Sequence, residues 1–497
     1  MRSPKALAGL ALAVALAAGA GSAEAKWLKA ESPQFIVYGE GDEASLREFV
    51  RRLEVFDSVL REKNRLKAAS GAGRKLPIYL VNNHDEFRRV VLEAKEGMRG
   101  VYARGNEDVF AVAIRTRGEN HVLLHEYTHH FMHRHFPSAY PGWLVEGMAE
   151  YFSGVELSPG MVTLGMPQKN RVDWLSHNSW IPIETVLRAR SGELKTDDER
   201  AMYYAQSWLL THYMMSNPQR TQQLQAYMRA VAEQGADPVK ALETATGTPA
   251  AQLQATLKTY VKGNGMTVTR LIGKETPPAV TITALPASAD DLLLEDRAAV
   301  FGIPTAERQR LLQTVRSRAA KHAGDRLAEV TLARWEIAYG DRAAGEAILK
   351  RRAQAEPKDA ELWRMLASSR MAAAEAETDP ERRRAMVKEA QEHATAAMRA
   401  NPEQSYQTLL TFVQSRSGMP GYPQEIDMDA LLAAYDAAPE VAAVRLQAAR
   451  ALLRKGRGKE AAAVLAPLLN DPHGGKAMAA ARGLLEQALA AQGAAGK

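Results

Sequence analysis

The chain of 497 residues contains no cysteine. That absence excludes disulfide stapling, thiolate metal sites, a cysteine nucleophile and a lipid anchor on an N-terminal cysteine. An exported chain without cysteine also needs no oxidative folding. Long apolar runs are missing too. The stretch Ala6 to Ala18 is about 13 residues, short of the roughly 20 that cross a bilayer, and nothing later in the chain is long and apolar enough. Charge of one sign is also scarce. The net charge is +6 over the full length, and no basic patch is interleaved with aromatics. That pattern excludes a nucleic-acid-binding class.

Those absences leave an ordinary globular composition, 46% hydrophobic and 25% charged, in a chain too long for one core. Two or three domains are expected. Arg2 and Lys5 supply a positive start, Ala6 to Ala18 an apolar segment, and Ala23-Glu24-Ala25 an A-x-A cleavage site. This is the pattern of an export signal over residues 1–25, cut after Ala25, with an uncleaved anchor as the alternative. The mature protein is expected to be soluble, without a transmembrane segment, and periplasmic or secreted.

From Trp27 the chain alternates as a strand, strongest over Phe35 to Tyr38. Ala44 to Leu66 has helical apolar spacing, and Leu76 to Val81 is a β-branched strand. Asp85 to Glu96 reads as helix, then Gly100 to Tyr102 and Asp108 to Ile114 as strands. This β-α-β-α-β order predicts a mixed sheet with helices packed on it. Val155 to Asp173 is turn-rich and gives little. A helical block spans about Ile183 to Lys262, closing a first domain over residues 26–262. Residues 263–288, with their glycines and prolines, read as a linker with some extended structure. Beyond it, residues 289–497 are Ala/Leu/Arg-rich and helical. Pro357, Pro402, Pro439 and Pro472 recur at the feet of helical patterns. That recurrence fits tetratricopeptide-like repeats, with a generic Ala-rich bundle as the alternative. The clearest unit, Asp359 to Pro402, places Trp363, Leu366 and Ala367 in one helix and Ala390, Ala394 and Ala397 in the next. Glu375 to Arg384 reads as a charged insertion. The repeats are expected to bind a protein or peptide.

The chemistry concentrates in Asn120 to Phe152. His125, Glu126 and His129 form an HExxH motif. Histidines four apart share one helix face, so both imidazoles reach one metal, and the intervening glutamate can act on its water. His121 and His133 extend the histidine stripe, but only the His125/His129 pair is followed, after its first member, by a carboxylate. A catalytic zinc site takes three protein ligands and leaves one position for water. Pro141-Gly142 turns the chain into a second helix, on which Glu146 can fold back as third ligand. Glu150, one helical turn on, is the alternative ligand or an orienting partner for a ligand histidine.

At these residues the sequence resembles the gluzincin (peptidase MA-like) metallopeptidases. The matching words are HEYTHH at His125 to His130 and WLVEGMAEYF at Trp143 to Phe152, similar to the WLxEGxA stretch of the aminopeptidase N type. The resemblance implies zinc on His125, His129 and Glu146, with Glu126 as general base. A third word, Tyr204-Ala205-Gln206-Ser207-Trp208, is similar to the stretch whose tyrosine stabilises the oxyanion. It implies that role for Tyr204, with His212 as the alternative. The implied fold is an α+β zincin-like metallopeptidase domain followed by an all-α helical-repeat domain. The layout resembles exported bacterial peptidase-like proteins with a tetratricopeptide tail, well over residues 27–262 and beyond them by repeat type only. Two departures matter. The His129-to-Glu146 spacing is shorter than in the aminopeptidase N type, and Gly100 to Asn106 reads GVYARGN where that type carries an exopeptidase word. An endopeptidase, or one of narrow specificity, is therefore expected. Val109 to Ile114 is the expected edge for pairing an extended substrate.

The expectation is a zinc-dependent peptidase outside the cytoplasm whose repeats recruit substrate or partner. Two rivals stand beside it: a repeat scaffold with a structural or inactive zinc site, and a metal-dependent hydrolase of non-peptide bonds. Glu126 argues against the scaffold, since a purely structural site has no use for a general base.

Overall fold

A computed structural model describes residues 26–67, 73–118, 120–136, 138–263, 266–272, 278–401, 405–469 and 476–495. The export signal read over residues 1–25 lies outside the described residues, as do Pro402 and Pro472 of the proline series. Nine strands are described, β1 (Trp27–Glu31), β2 (Phe35–Glu40), β3 (Leu76–Val81), β4 (Gly100–Arg104), β5 (Val109–Ile114), β6 (Glu156–Ser158), β7 (Met161–Leu164), β8 (Thr269–Ile272) and β9 (Thr281–Ala284). The first half holds helices α1 (Glu43–Lys63), α2 (His84–Val90), α3 (His121–His135), α4 (Gly142–Ser153), α5 (Lys169–His177), α6 (Ile183–Arg188), α7 (Asp197–Met215), α8 (Pro218–Ala232), α9 (Pro238–Thr246) and α10 (Ala250–Lys262).

The main sheet has six strands in the order β4-β5-β3-β2-β1-β9. β2, β3 and β5 run parallel, and β4, β1 and β9 are antiparallel to their neighbours. Alternation along each strand sends side chains to opposite faces. Phe35, Val37, Ile78, Leu80, Val109 and Ala111 join one core with Leu46, Val50 and Phe56 of α1 and Leu123, Leu124, Tyr127 and Phe131 of α3. Trp27, Tyr79, Val81, Phe110 and Val112 join a second core with Phe87 and Val90 of α2. β5 is buried throughout and pairs on both sides, with β3 and β4. The expectation that Val109 to Ile114 forms the sheet edge is therefore corrected. Its unbroken apolar run VFAVAI is that of a central strand covered on both faces, and β4 is the edge.

The stretch Val155 to Asp173 folds as a β6–β7 hairpin followed by α5. Gly160 adopts φ +72° in the hairpin turn, a conformation open to glycine. β8 joins that hairpin as a third strand, and β9 pairs with β1 in the main sheet. The described parts of 263–288 thus include two short strands, Thr269–Ile272 and Thr281–Ala284, one paired into each sheet.

The second half is helical: α11 (Ser288–Phe301), α12 (Arg308–Ala319), α13 (Arg326–Tyr339), α14 (Arg342–Ala355), α15 (Ala360–Ala376), α16 (Pro380–Ala400), α17 (Tyr406–Arg416), α18 (Glu425–Ala437), α19 (Ala442–Arg454), α20 (Gly458–Leu469) and α21 (Lys476–Ala495). Consecutive helices pair along this half, α13 with α14, α15 with α16, α17 with α18 and α19 with α20. In the α15–α16 unit Leu366, Ala367, Ala390, Ala394 and Ala397 are all buried. The charged insertion lengthens these two helices, leaving only a short turn between Ala376 and Pro380.

The repeats do not simply trail from the first half. Ala289, Leu293 and Leu294 of α11 complete the second core of the sheet. Tyr406, Leu409, Leu410 and Leu431 belong to the same continuous core as α1 and α3. Tyr406 donates from its hydroxyl to the Gly105 carbonyl at 3.1 Å, and Arg134 of α3 donates to the Ala437 carbonyl at 2.8 Å. Arg74 pairs with the buried Glu440. Among the described residues, no helix is long and apolar enough to cross a membrane.

Candidate metal centre

Asn120 caps α3. Its side chain accepts from the Leu123 amide at 3.2 Å and donates to the Ile114 carbonyl at 3.0 Å, so the helix starts at a fixed point beyond β5. Asp57 of α1 then locks the middle of α3, accepting from the Tyr127 hydroxyl at 2.6 Å and held by Arg61 at 2.6 Å. Tyr102 of the edge strand reaches His130 Nδ1 at 2.8 Å. Burial first, then Arg74 and Arg134, hold His130 well below its ordinary pKa. A neutral His130 accepts here and the phenol donates.

α4 is buried along all twelve residues. It lies so close to α7 that a Cβ on Gly147 would stand 2.2 Å from Thr211 Oγ1 and 2.5 Å from the Ser207 carbonyl oxygen. This approach delivers the neighbouring Glu146, which is 0% exposed, to the histidine pair.

Three donor atoms converge there. His125 Nε2 and His129 Nε2 are 3.0 Å apart, and Glu146 Oε2 is 3.4 Å from each. A tetrahedral ion with bonds of about 2.0–2.1 Å has ligand atoms roughly 3.3–3.4 Å apart, so this triangle fits a zinc-sized cation. Among the described residues, His125, His129 and Glu146 form the group of side chains able to hold a metal. A fully buried carboxylate between two imidazoles needs a positive charge beside it, which a protonated histidine or a metal cation can supply. Burial pulls His125 down, but Glu146, Glu150 and Glu126 outweigh it and its pKa rises to about 9. Glu146, which burial would raise, is held well below the carboxylate range by His129 and His125.

Glu150 stands on the other edge of the His125 ring, its Oε1 3.5 Å from Nδ1. Both of its oxygens accept from Arg171 of α5, at 2.6 and 2.9 Å. It lies beside Nδ1, on the side of the ring away from the Nε2 that faces Glu146, a position suited to an orienting partner rather than to a third ligand. Glu126 is half-buried beside the triangle. His121 is turned to the Ser153 carbonyl, 2.6 Å away, so it ties α3 to α4 and takes no part in the triangle.

Tyr204 of α7 faces the centre, its ring centroid 6.5 Å from that of His125, with the Arg171 guanidinium 5.7 Å over its face. Burial and the Glu146 charge push its pKa up against a hydrogen bond from Ser191, so the phenol keeps its proton. Tyr203 points away and donates to the Ala189 carbonyl at 3.0 Å. The alternative placing of His212 is corrected. It is buried, Nε2 donating to the Gly165 carbonyl and Nδ1 accepting from the Tyr260 hydroxyl, each at 2.9 Å. Arg171 was invisible to sequence reasoning, because it arrives on a short helix from a stretch with no periodicity or motif.

At the far end of α3, His135 lies 3.4 Å from Arg61. Burial, then Arg61 and Arg134, lower its pKa to about 4. In the unfolded chain it titrates near 6.5, so below that pH the unfolded state takes up a proton that the folded state refuses. Stability present above about pH 6.5 is therefore lost as the pH falls towards 4, by up to ~1.4 kcal/mol per unit from this group. Denaturant unfolding at about pH 7 and about pH 5 checks this. His135→Gln should flatten the pH dependence, and an unchanged dependence would contradict the assignment.

The family model described as "Protein of unknown function (DUF1570)" matches residues 122–239. That span runs from α3 into α9 and contains His125, Glu126, His129, Glu146 and Tyr204. A search of curated proteins finds no match. Among solved structures, the chain is similar to a thermophilic TPR protein of Thermus thermophilus. The identity is 19%, the likeness covers 41% of this chain and 100% of that one, and the TM-score is 0.34. So low a score carries no argument.

Proposed function

We propose that the protein is a zinc-dependent peptidase of gluzincin type that acts outside the cytoplasm, in the periplasm or secreted. The observation that carries this reading is the convergence of His125 Nε2, His129 Nε2 and Glu146 Oε2 next to Glu126. Zinc, when bound, supplies a Lewis acid that polarises a carbonyl and makes its bound water acidic near neutral pH. Glu126 takes the proton from the attacking water and returns it to the leaving amine. Tyr204, protonated and facing the centre, donates to the oxyanion that develops on the scissile carbonyl. Glu150 and Arg171 keep the His125 ring in place. The resemblance of WLVEGMAEYF and YAQSW to gluzincin words supports the same assignment of Glu146 and Tyr204. The helical repeats would recruit the peptide or protein substrate, or a protein partner.

The test is cleavage of a mixed peptide library by the zinc-loaded protein, with and without a chelator. Chelator-sensitive cleavage supports the reading. Bound zinc with no cleavage of any peptide would move it to a scaffold or to a hydrolase of other bonds. Tyr204→Phe should lower kcat roughly 10²-fold with KM and zinc content little changed, since the lost hydrogen bond exists only in the transition state. A shift in KM alone would place Tyr204 in substrate binding instead.

A further inference from the structure

A polar cleft of about 230 Å³ lies between the β4–β5 turn and helices α11, α13, α15 and α17. It holds none of the residues of the metal centre. Arg297, Arg334 and Arg364 line it together with Glu107, Asp108 and Glu361. The carboxylates are committed. Asp108 pairs with Arg297 at 2.7 Å, and Glu107 pairs with Arg334. Glu361 takes Arg326 at 2.8 Å and Arg334 at 3.3 Å, and the buried Asp296 bridges Arg297 and Arg334 behind the wall.

Arg364 is left over. It is only 7% exposed and forms no hydrogen bond or ion pair with any described residue. The Glu361 charge acts on it only through space. A guanidinium with no contacting partner among the described residues, on the wall of a space large enough for a ligand, is a donor open to an anion. Two further features converge on that space. The eleven-residue α17 begins there, with Ser405 as its N-cap and the partly positive end of the helix beside the cleft. Gln407 donates from Nε2 to the Glu107 carbonyl at 3.4 Å, which leaves its buried Oε1 an acceptor without a donor.

We propose that this cleft binds a carboxylate bearing an N–H donor on the adjacent carbon, the chemistry shared by an N-acylated amino acid and the C-terminus of a peptide. Arg364 pairs with the carboxylate and Gln407 Oε1 accepts from the N–H. The lining arginines and carboxylates balance three to three, with Arg364 alone in contact with no carboxylate, so the cleft suits at most a monoanion, whereas a doubly charged phosphate would face repulsion from Glu107, Asp108 and Glu361.

The test is calorimetry on the full chain with N-acetylalanine, its amide, propionate and an N-acetylated tripeptide acid. Wild type should bind N-acetylalanine at least about tenfold more tightly than its amide. Arg364→Gln should lose binding by a similar factor, with its thermal unfolding kept or raised because no partner is abandoned. Arg364→Lys, a point charge without the fork, should keep part of the affinity, and it carries the test should the glutamine variant fail to fold. Gln407→Leu should weaken N-acetylalanine but not propionate. Tighter binding of the tripeptide assigns the site to peptide C-termini, and equal binding assigns it to small N-acyl amino acids. Acid and amide binding alike, or no binding of either by wild type in the millimolar range, would overturn the proposal.

Discussion

Glu126→Gln should abolish hydrolysis, by roughly 10²–10⁴-fold in kcat, while bound zinc stays at the wild-type level. The side chain sits beside the donor triangle without being part of it, so its amide keeps the packing of α3 and removes only the base. The triangle of His125, His129 and Glu146 is held from other directions, by Asp57 on Tyr127, by Tyr102 on His130 and by the approach of α4 to α7. Metal content and single-turnover cleavage on the same preparations separate the two roles. Loss of zinc along with activity would mean that Glu126 is structural. Retention of full activity would remove the proposed base altogether.

Gly147→Ala should damage the centre without touching a ligand. The added Cβ would meet Thr211 Oγ1 at 2.2 Å and the Ser207 carbonyl at 2.5 Å. A hydroxyl can turn aside, but a helix carbonyl cannot move without its helix. α4 must therefore back away from α7, taking Glu146 with it. Overpacking of this kind costs about 1–3 kcal/mol, and here it also pulls one corner off the donor triangle. Denaturant unfolding should show the lost stability, and competition with a chromogenic chelator should show weaker zinc binding. Thr211→Ala in the same chain should recover only part of both, because the Ser207 contact remains. Unchanged stability and zinc affinity in Gly147→Ala would contradict the packing account.

The site was legible in the sequence to the extent that its parts are local. His125 and His129 sit one helical turn apart and carry their own carboxylate, so periodicity alone pairs them. The structure likewise gathers Glu146, from the next helix, and Tyr204, from α7, around the pair. Parts fixed by tertiary approach were not legible. Arg171 reaches Glu150 from a short helix with no pattern, and nothing in its neighbours marks it. His212 looked available because a sequence does not show that Gly165 and Tyr260 occupy both its nitrogens. The strand order misled for the same reason. VFAVAI at Val109 to Ile114 is a central strand between β3 and β4, and its unbroken apolar run could have said so. The coarse division into an α/β first half and a helical second half was readable from composition. The docking of α11 and α17 into the cores of the first half was not, because Ala289, Leu293 and Leu410 look like any residues of an Ala/Leu-rich helix.

Metal analysis of the purified protein by mass spectrometry tests the central claim most directly. Wild type is expected to hold one equivalent of zinc, and the His125→Ala, His129→Ala double variant to hold none while retaining its helical content. Wild type without zinc, even after exposure to the ion, or a double variant that binds it as tightly as wild type, would contradict the account.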